Sequence, residues 1–360
     1  MPELDVTVVH VIPESVFSNT YHGSYKDTIS RVRFLQERVE DYRQIRVPED
    51  EPAAVMRELV EIRSPRFLIE YSLLPRITAA IRERHPDAFI AVRSHNIEPF
   101  QHLDNHGWWS KRGPLWNAYA CSRLFRHDLV AKRNASEIWS ISDWETAAYW
   151  DRLPGRAECR WLPYHCPAHL VNDDPTEHSQ RTRIVCLPTA SKNRKSWDLV
   201  TRFIRLAEHL KQNGRSRYEF VITGDLQDWG LPASDSVSYT GMIDDLCGFM
   251  NSVNSVALLS PLGFGFKTTI GDAIANNASV LIHPKLARRC PPMIKNAFVS
   301  IDTEMLGDPA VIFDQIDRVE GHAKLDRQLR AMNNDVLQGL LPGSPRSVMT
   351  QGVIATNERT

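Results

Sequence analysis

Short apolar runs alternate with amphipathic stretches along most of the chain, and this alternation predicts strands interleaved with helices. In the N-terminal half we predict five strands, in the runs Val6–Ile12, Arg66–Tyr71, Ala88–Arg93, Glu137–Ser142 and Trp161–Tyr164. Helical patterns fill much of the sequence between them, which is the arrangement of β-α-β units. Because such units pair their strands in parallel, this half predicts a doubly wound α/β domain.

The same alternation starts again after a polar stretch, 167–182, that has no hydrophobic periodicity. The second half predicts six strands, at Arg183–Leu187, Tyr218–Thr223, Val237–Tyr239, Ser255–Leu259, Ser279–His283 and Ala297–Ile301. It also predicts helices over Trp197–Gln212, Asp244–Val253 and Lys267–Asn277. We therefore predict two Rossmann-like, doubly wound α/β domains facing a cleft. The expected bounds are 1–166 and 183–340, with 167–182 as linker and 341–360 as tail.

Composition narrows the classes of function. The chain has 360 residues, 42% of them hydrophobic, and a formal net charge of −1. A nucleic-acid-binding domain is typically basic on one face, so we expect no nucleic-acid partner. The six cysteines contain no CxxC pair, which is typical of a reduced intracellular protein and argues against structural zinc. The sequence shows neither a signal-peptide pattern nor about 20 consecutive apolar residues, so we expect a cytoplasmic protein.

The segment from Ser260 to Pro284 carries the sharpest candidate chemistry. A predicted strand leads into a turn, Gly263–Lys267, and a predicted helix containing Asp272 follows. Glycines let a backbone approach a phosphate closely, and a helix N-terminus supplies free N–H groups and partial positive charge. Lys267 adds a full charge, and Asp272, about one and a half turns along the helix, could reach a ribose hydroxyl. A tight turn whose glycines serve packing alone is the competing interpretation.

The pattern G-x-G-x-K-x-T-x-x-D-A over Gly263–Ala273 resembles the donor-binding segment of GT-B glycosyltransferases, particularly those of family 4. The spacing of RIVCL, FVITGD and VSYTGMID is similar to that family as well, as are RSHNIE at Arg93–Glu98 and IWSISDWE at Ile138–Glu145. The resemblance covers roughly residues 85–300. It implies a glycosyltransferase of polysaccharide biosynthesis that moves a hexose-type sugar from a UDP- or GDP-linked donor to a glycan or lipid-linked acceptor.

Carried over position by position, the resemblance implies that Asp272 binds the ribose hydroxyls, where the family usually has a glutamate. The segment implied to hold the rest of the donor comprises Gly263, Phe264, Gly265, Phe266, Lys267 and Thr268. The basic loop implied to neutralise the leaving β-phosphate contains Lys192, Arg194 and Lys195, and spacing does not decide which two act. The turn implied to meet the nucleobase is Thr240, Gly241 and Met242. The catalytic roles fall on His95, Lys195 and Lys267.

The resemblance also implies a mechanism. Transfer would retain the anomeric configuration without a protein nucleophile, and without a metal or any cofactor beyond the donor. Inversion with His95 as base is the mechanistic alternative. A nucleotide-sugar-binding or partner subunit that has lost catalysis is the alternative from another class. It is motivated by Leu262, where the first carboxylate of the family's paired motif is expected, by Asp272 in place of the usual glutamate, and by a first loop that contains Gly23 alone.

Several residues of the first domain are candidates for the acceptor side of the cleft. His95 directly follows a predicted strand, so it could contact the transferred sugar or serve as a structural histidine. Glu98 could orient His95 or cap the next helix. Tyr21, His22 and Tyr25 could stack on an acceptor sugar or pack internally.

The stretch 107–133 combines aromatic and basic side chains, and only Asp128 opposes its positive charge. Its aromatic residues are Trp108, Trp109, Trp116 and Tyr119, and its basic residues are Lys111, Arg112, Arg123, Arg126, Lys132 and Arg133. Such a combination suits an anionic membrane surface or a lipid-linked acceptor, which would place the protein at the inner face of the membrane. The competing interpretation is an ordinary helix with a solvated basic face.

Overall fold

Two parallel sheets form the framework of the protein. The computed structural model describes residues 6–18, 22–62, 64–171, 180–188, 192–212, 217–264, 266–319 and 322–341. Each sheet has six strands within these ranges, and all neighbouring strands are parallel. The predicted architecture of two doubly wound domains is confirmed.

The first sheet has the order β2-β1-β3-β4-β5-β6. Its strands are β1 Val8–Pro13, β2 Tyr42–Val47, β3 Arg66–Glu70, β4 Phe89–Ser94, β5 Glu137–Ser140 and β6 Glu158–Trp161. We did not predict β2, because this edge strand is half exposed and its sequence YRQIRV carries too many polar residues to be recognised. The last strand was predicted too late, at Trp161–Tyr164. Leu162 and Tyr164 are fully buried beyond β6, so the apolar character of that run reflects packing outside the sheet.

The second sheet has the order β12-β11-β10-β7-β8-β9. Its strands are β7 Arg183–Cys186, β8 Glu219–Thr223, β9 Ser238–Gly241, β10 Val253–Leu258, β11 Ser279–Ile282 and β12 Phe298–Ser300. All six lie where the hydrophobic pattern predicts them, with ends that differ by a few residues. This half was easier to predict because its strands are short, apolar and mostly buried.

Helices cover the faces of both sheets. Those of the first half are α1 Gly23–Arg38, α2 Pro52–Glu58, α3 Pro75–Arg84, α4 Glu98–His106, α5 Pro114–Asn134 and α6 Asp143–Ala148. Those of the second half are α7 Arg194–Lys211, α8 Leu246–Met250, α9 Thr268–Ala275, α10 Pro284–Ala287, α11 Pro309–Asp317 and α12 Ala323–Gln338. Asn193 caps α7 by accepting a hydrogen bond from the Ser196 amide at 2.9 Å.

Segments from each half pack into the core of the other. Tyr164, just after the first sheet, is fully buried in an apolar cluster with Val256 and Ile270 of the second domain. In the opposite direction, Leu337 at the end of α12 packs with Val8 of the first sheet. These crossings hold the carboxyl ends of the two sheets on either side of a shared cavity.

Candidate active site

A cavity of about 600 Å³ lies between the two domains. Its walls include residues that immediately follow strands of both sheets: Tyr71 after β3, His95 after β4, Leu187 after β7 and Gly224 after β8. Ligands of doubly wound proteins bind outside the carboxyl ends of the strands, and small-molecule sites commonly measure about 300 to 1,000 Å³. The cavity therefore has the position and size of a ligand site.

Two lysines of the second domain converge in this cavity. Lys195 lies in the first turn of α7, and Lys267 is the residue that precedes α9. Both side chains lie over Gly263: a methyl group added there would be 2.8 Å from Lys267 Nζ and 3.2 Å from Lys195 Cδ. Burial and, after it, the neighbouring charge of Lys195 lower the pKa of Lys267 to about 7. Two ammonium groups at two helix N-termini favour an anion between them.

The turn at Gly263 is fixed by contacts from both domains. Its φ of +110° lies in the region that favours glycine, so this residue is required for the backbone as well as for the space above it. The Gly263 N–H donates to Asp104 Oδ2 of α4 at 2.5 Å, and Arg289 donates to the Gly263 carbonyl at 2.7 Å. Lys267 Nζ donates to the Phe264 carbonyl at 2.5 Å. A carboxylate of the first domain thus lies beside the turn that we predict to hold a diphosphate.

Asp272, the predicted ribose acceptor, lines the cavity and is 5% exposed. Lys26 Nζ of the first domain donates to its Oδ2 at 2.6 Å, and the Tyr164 hydroxyl donates to its Oδ1 at 2.5 Å. We did not predict either partner. The carboxylate is therefore fixed in position from two sides.

His95 lines the cavity, but both of its ring nitrogens face carboxylates. Nε2 lies 3.0 Å from Glu70 Oε2, Nδ1 lies 3.3 Å from Asp27 Oδ2, and the ring stacks on Tyr71 with centroids 4.1 Å apart. Burial lowers the pKa of His95, while Glu70 and Asp27 oppose that shift. Nε2 is hydrogen-bonded to Glu70, and the Asp27 carboxylate lies beside Nδ1, so a substrate proton would have to compete with a carboxylate at either nitrogen. The carboxylates beside His95 are thus those of Glu70 and Asp27 rather than that of Glu98.

The other predicted residues divide into two groups. Beside those already described, the cavity is lined by His22, Glu98, Met242, Phe266 and Thr268. The predicted site residues that lie in the described ranges but do not line the cavity are Tyr25, Lys192, Arg194, Thr240, Gly241, Gly263 and Phe264. Tyr21 and Gly265 lie outside the described residues.

Two members of the second group have other partners. Lys192 Nζ donates to the Trp229 carbonyl at 2.6 Å, which holds it away from the cavity. Phe264 packs on Phe100 of the first domain, with ring centroids 5.0 Å apart.

Glu98 begins α4, and Ile97 before it makes no side-chain cap. The capping box considered for Glu98 is therefore absent at this described helix end.

Glu98 lines the cavity and is partly buried, and the buried carboxyl groups of Asp128 and Glu145 lie close enough to interact with its charge. Burial raises the pKa of Glu98 to about 8, and it raises those of Asp128 and Glu145 to about 7. Tyr149 donates a hydrogen bond of 2.7 Å to Asp128. Each of the three carboxyls therefore holds its proton to a pH well above that of an exposed acid.

The α4–α5 hairpin carries large exposed apolar side chains. Trp109 is 81% exposed, Leu115 is 87% exposed and Tyr119 is 66% exposed. Arg112 stacks over Trp116 at 4.5 Å, so cations and aromatic rings are interleaved on this surface. Lys132 is an exception to the predicted basic face, because it is buried and donates to the Ala157 carbonyl at 2.6 Å.

The described ranges hold no group of three or more His, Cys, Asp or Glu side chains placed to bind a metal. None of the described helices is both long enough and apolar enough to span a bilayer. Metal independence remains a prediction.

Solved structures with similar architecture include glycosyltransferases, among them one solved with UDP-glucose. HepE of Anabaena, solved in complex with UDP and glucose, matches with a TM-score of 0.58 and 13% identity over 93% of this chain and 99% of that one. Sucrose-phosphate synthase of Thermosynechococcus elongatus matches with a TM-score of 0.60 and 13% identity over 93% and 95%. A glycosyltransferase of Rickettsia africae matches with a TM-score of 0.56 and 11% identity over 94% and 99%.

These likenesses establish the fold. The chain has the two-domain GT-B fold, as the sequence resemblance implied. No protein-family model matches the chain, and no curated protein sequence matches it either. Membership of family 4 therefore remains a prediction.

Proposed function

We propose that the protein is a glycosyltransferase that moves a hexose-type sugar from a UDP- or GDP-linked donor to a glycan or lipid-linked acceptor. The observation that carries the proposal is the convergence of Lys195 and Lys267 over Gly263 in the cavity between two GT-B domains. HepE, which shares this fold, was solved with UDP and glucose. The nucleotide would lie against the second domain, with its diphosphate at the two lysines.

The chemistry follows from charge. As the bond between the anomeric carbon and the diphosphate breaks, its electron pair remains on the leaving phosphate, and negative charge grows there. Lys195 and Lys267 would stabilise that charge without rearranging, because each is already held at a helix N-terminus. We further propose that transfer retains the anomeric configuration and needs neither a protein nucleophile nor a metal. The acceptor oxygen then bonds the anomeric carbon and its proton passes to the departing phosphate.

The geometry of His95 disfavours the inverting alternative. A general base needs a free lone pair within reach of the proton it takes, and both nitrogens of His95 lie beside Glu70 and Asp27. His95 can still present its ring edge to a bound sugar, since it lines the cavity.

A catalytically inactive nucleotide-sugar-binding or partner subunit is the second candidate. The observation that favours it is the lack of any Asp or Glu between Ser260 and Gly271, where the resemblance leads us to expect a carboxylate for the donor sugar. Such a subunit would bind donor without releasing nucleoside diphosphate. It would share every contact described above, so only turnover separates the two candidates.

The first experiment is a thermal-shift screen of UDP-, GDP- and ADP-sugars, followed by assays of nucleoside diphosphate release with candidate acceptors. A ligand at 100 times its Kd stabilises the fold by about 2.7 kcal/mol. Lys267→Ala should lower kcat by about 10²- to 10³-fold, more than it raises KM, and Lys195→Ala should do the same more weakly. Lys285→Ala, which changes an exposed lysine on α10, is the matched control.

Near-normal turnover in both active-site variants would place the chemistry elsewhere. Donor binding without release in the wild type would favour the inactive subunit. Conversion of the donor sugar without any acceptor would instead indicate an epimerase.

We also propose that the α4–α5 hairpin contacts an anionic membrane and so brings a lipid-linked acceptor to the cavity. Its exposed Trp109, Leu115 and Tyr119, together with the basic residues around them, support this contact. A protein of this kind would be cytoplasmic and peripheral at the inner face of the membrane.

A further inference from the structure

The contact between Lys26 and Asp272 joins the two domains inside the cavity. The ammonium group lies 2.6 Å from the carboxylate, and their side chains are only 8% and 7% exposed. Tyr164 occupies the other carboxylate oxygen at 2.5 Å. The Cys166 thiol also hydrogen-bonds to Asp272. A carboxylate offers about four lone-pair positions, so about one remains for a ligand in the cavity that Asp272 lines.

Two glycines make this contact sterically feasible. Gly23 begins α1, and a methyl group added there would lie 2.3 Å from Thr268 Oγ1 at the start of α9. The two helix N-termini therefore abut, and Lys26, one turn into α1, reaches Asp272, one turn into α9. On the other side, a methyl group on Gly271 would lie 2.5 Å from the Tyr164 ring.

These contacts fix the carboxylate in position. The Lys26 ammonium places a positive charge 2.6 Å from Oδ2, and the Tyr164 hydroxyl donates to Oδ1. Both oxygens are therefore held, so the orientation of the carboxylate is set by residues outside α9.

We propose that Lys26 is a positioning residue, supplied by the opposite domain, that holds the Asp272 carboxylate in the orientation that accepts a ribose hydroxyl. This inference rests on the proposed function, because it presumes a nucleotide in the cavity. Ribose recognition is then complete only when the first domain lies against the second. Tyr164, which follows β6 of the first domain, helps to orient the same carboxylate through its hydroxyl.

The test compares the Kd of UDP with that of 2′,3′-dideoxy-UDP by calorimetry, with the GDP pair run in parallel. A hydrogen bond to a charged group corresponds to about 10- to 100-fold in affinity, so wild-type protein should prefer the ribose form by at least about tenfold. Lys26→Met should reduce that preference to under about threefold at pH 7. Lys26→Arg should restore most of it, and Arg38→Met, at the exposed far end of α1, should leave it unchanged.

Two further arms separate positioning from a merely structural role. Gly23→Ala should push α1 away from Thr268 and lower the preference without changing either charged residue. Tyr164→Phe should give an intermediate loss.

An undiminished ribose preference in Lys26→Met, with binding otherwise intact, would overturn the inference and leave the ion pair as a domain clamp. A loss that Lys26→Arg does not restore would overturn it as well. Failure of the wild type to bind any nucleoside diphosphate would instead refute the proposed function, and with it this assignment.

Discussion

Donor binding should take up a proton at Lys267. Burial and the neighbouring Lys195 lower the pKa of Lys267 to about 7, so this lysine is only about half charged in the free protein at pH 7. A bound diphosphate favours the ammonium form and raises that pKa. Binding and protonation are therefore linked. Glu98, with a pKa of about 8, lines the same cavity and can also take up a proton, so the contribution of Lys267 is the part of the linkage that its replacement removes.

The magnitude follows from the size of the shift. Each unit by which a bound diphosphate raises the pKa corresponds to about 1.4 kcal/mol, or tenfold in affinity. Below pH 6 Lys267 is already charged, so its contribution to affinity does not change with pH. Above pH 7 the free lysine must first gain a proton, so the Kd should rise up to about tenfold per pH unit until the pKa of the complex is passed. At pH 7 binding should take up about half a proton.

Calorimetry of a UDP- or GDP-sugar between pH 6 and pH 9 measures both quantities, with proton uptake taken from buffers of different ionisation enthalpy. A sugar nucleotide carries its phosphates as diesters, so its own titration does not interfere. Lys267→Met should bind more weakly at pH 6 and lose most of the dependence on pH. A wild-type affinity that is level from pH 6 to pH 9, or that rises with pH, would refute the reasoning.

Three further predictions concern other parts of the molecule. The pKa of Glu145 is about 7 in the folded protein and about 4.3 in the unfolded chain, so the free energy of unfolding falls as the pH rises between these values. In urea melts Glu145→Gln should be more stable than wild type by about 1 to 3 kcal/mol at pH 8 and by little at pH 4. Equal gains at both pH values would contradict a raised pKa at Glu145. Replacing Lys111, Arg112 and Arg126 with Gln should cut binding to anionic vesicles by about 10²-fold at low salt, since each contributes about 1 kcal/mol. If the wild-type protein has no affinity for such vesicles, the basic face of this hairpin is an ordinary solvated helix surface. Asp104→Asn should tighten nucleotide binding several-fold by removing a negative charge beside Gly263, and weaker binding would count against a diphosphate at that turn.

Much of the fold could be predicted because its signals are local. Hydrophobic periodicity reports which face of a short segment is buried, and the parallel β-α-β alternation follows from it. The exception, β2, shows the limit of that signal: at the sheet edge its side chains are half exposed, so its sequence lacks an apolar run. The turn from Gly263 to Lys267 and the position of Asp272 on α9 could also be predicted, because a strand, a turn and a helix start are adjacent in sequence.

The candidate site depended on contacts that no local pattern contains. Lys26 and Asp272 are 246 positions apart, and Gly263 and Asp104 are 159 apart. His95 could be placed at a strand end from its sequence, but the carboxylates that engage its nitrogens arrive from α1 and β3. The sequence thus determined the two doubly wound domains and the strand ends that carry the candidate chemistry. The packing of the two domains decided which of those groups are paired with an opposite charge and which remain open to a ligand. Only close packing sets which buried charges neutralise one another.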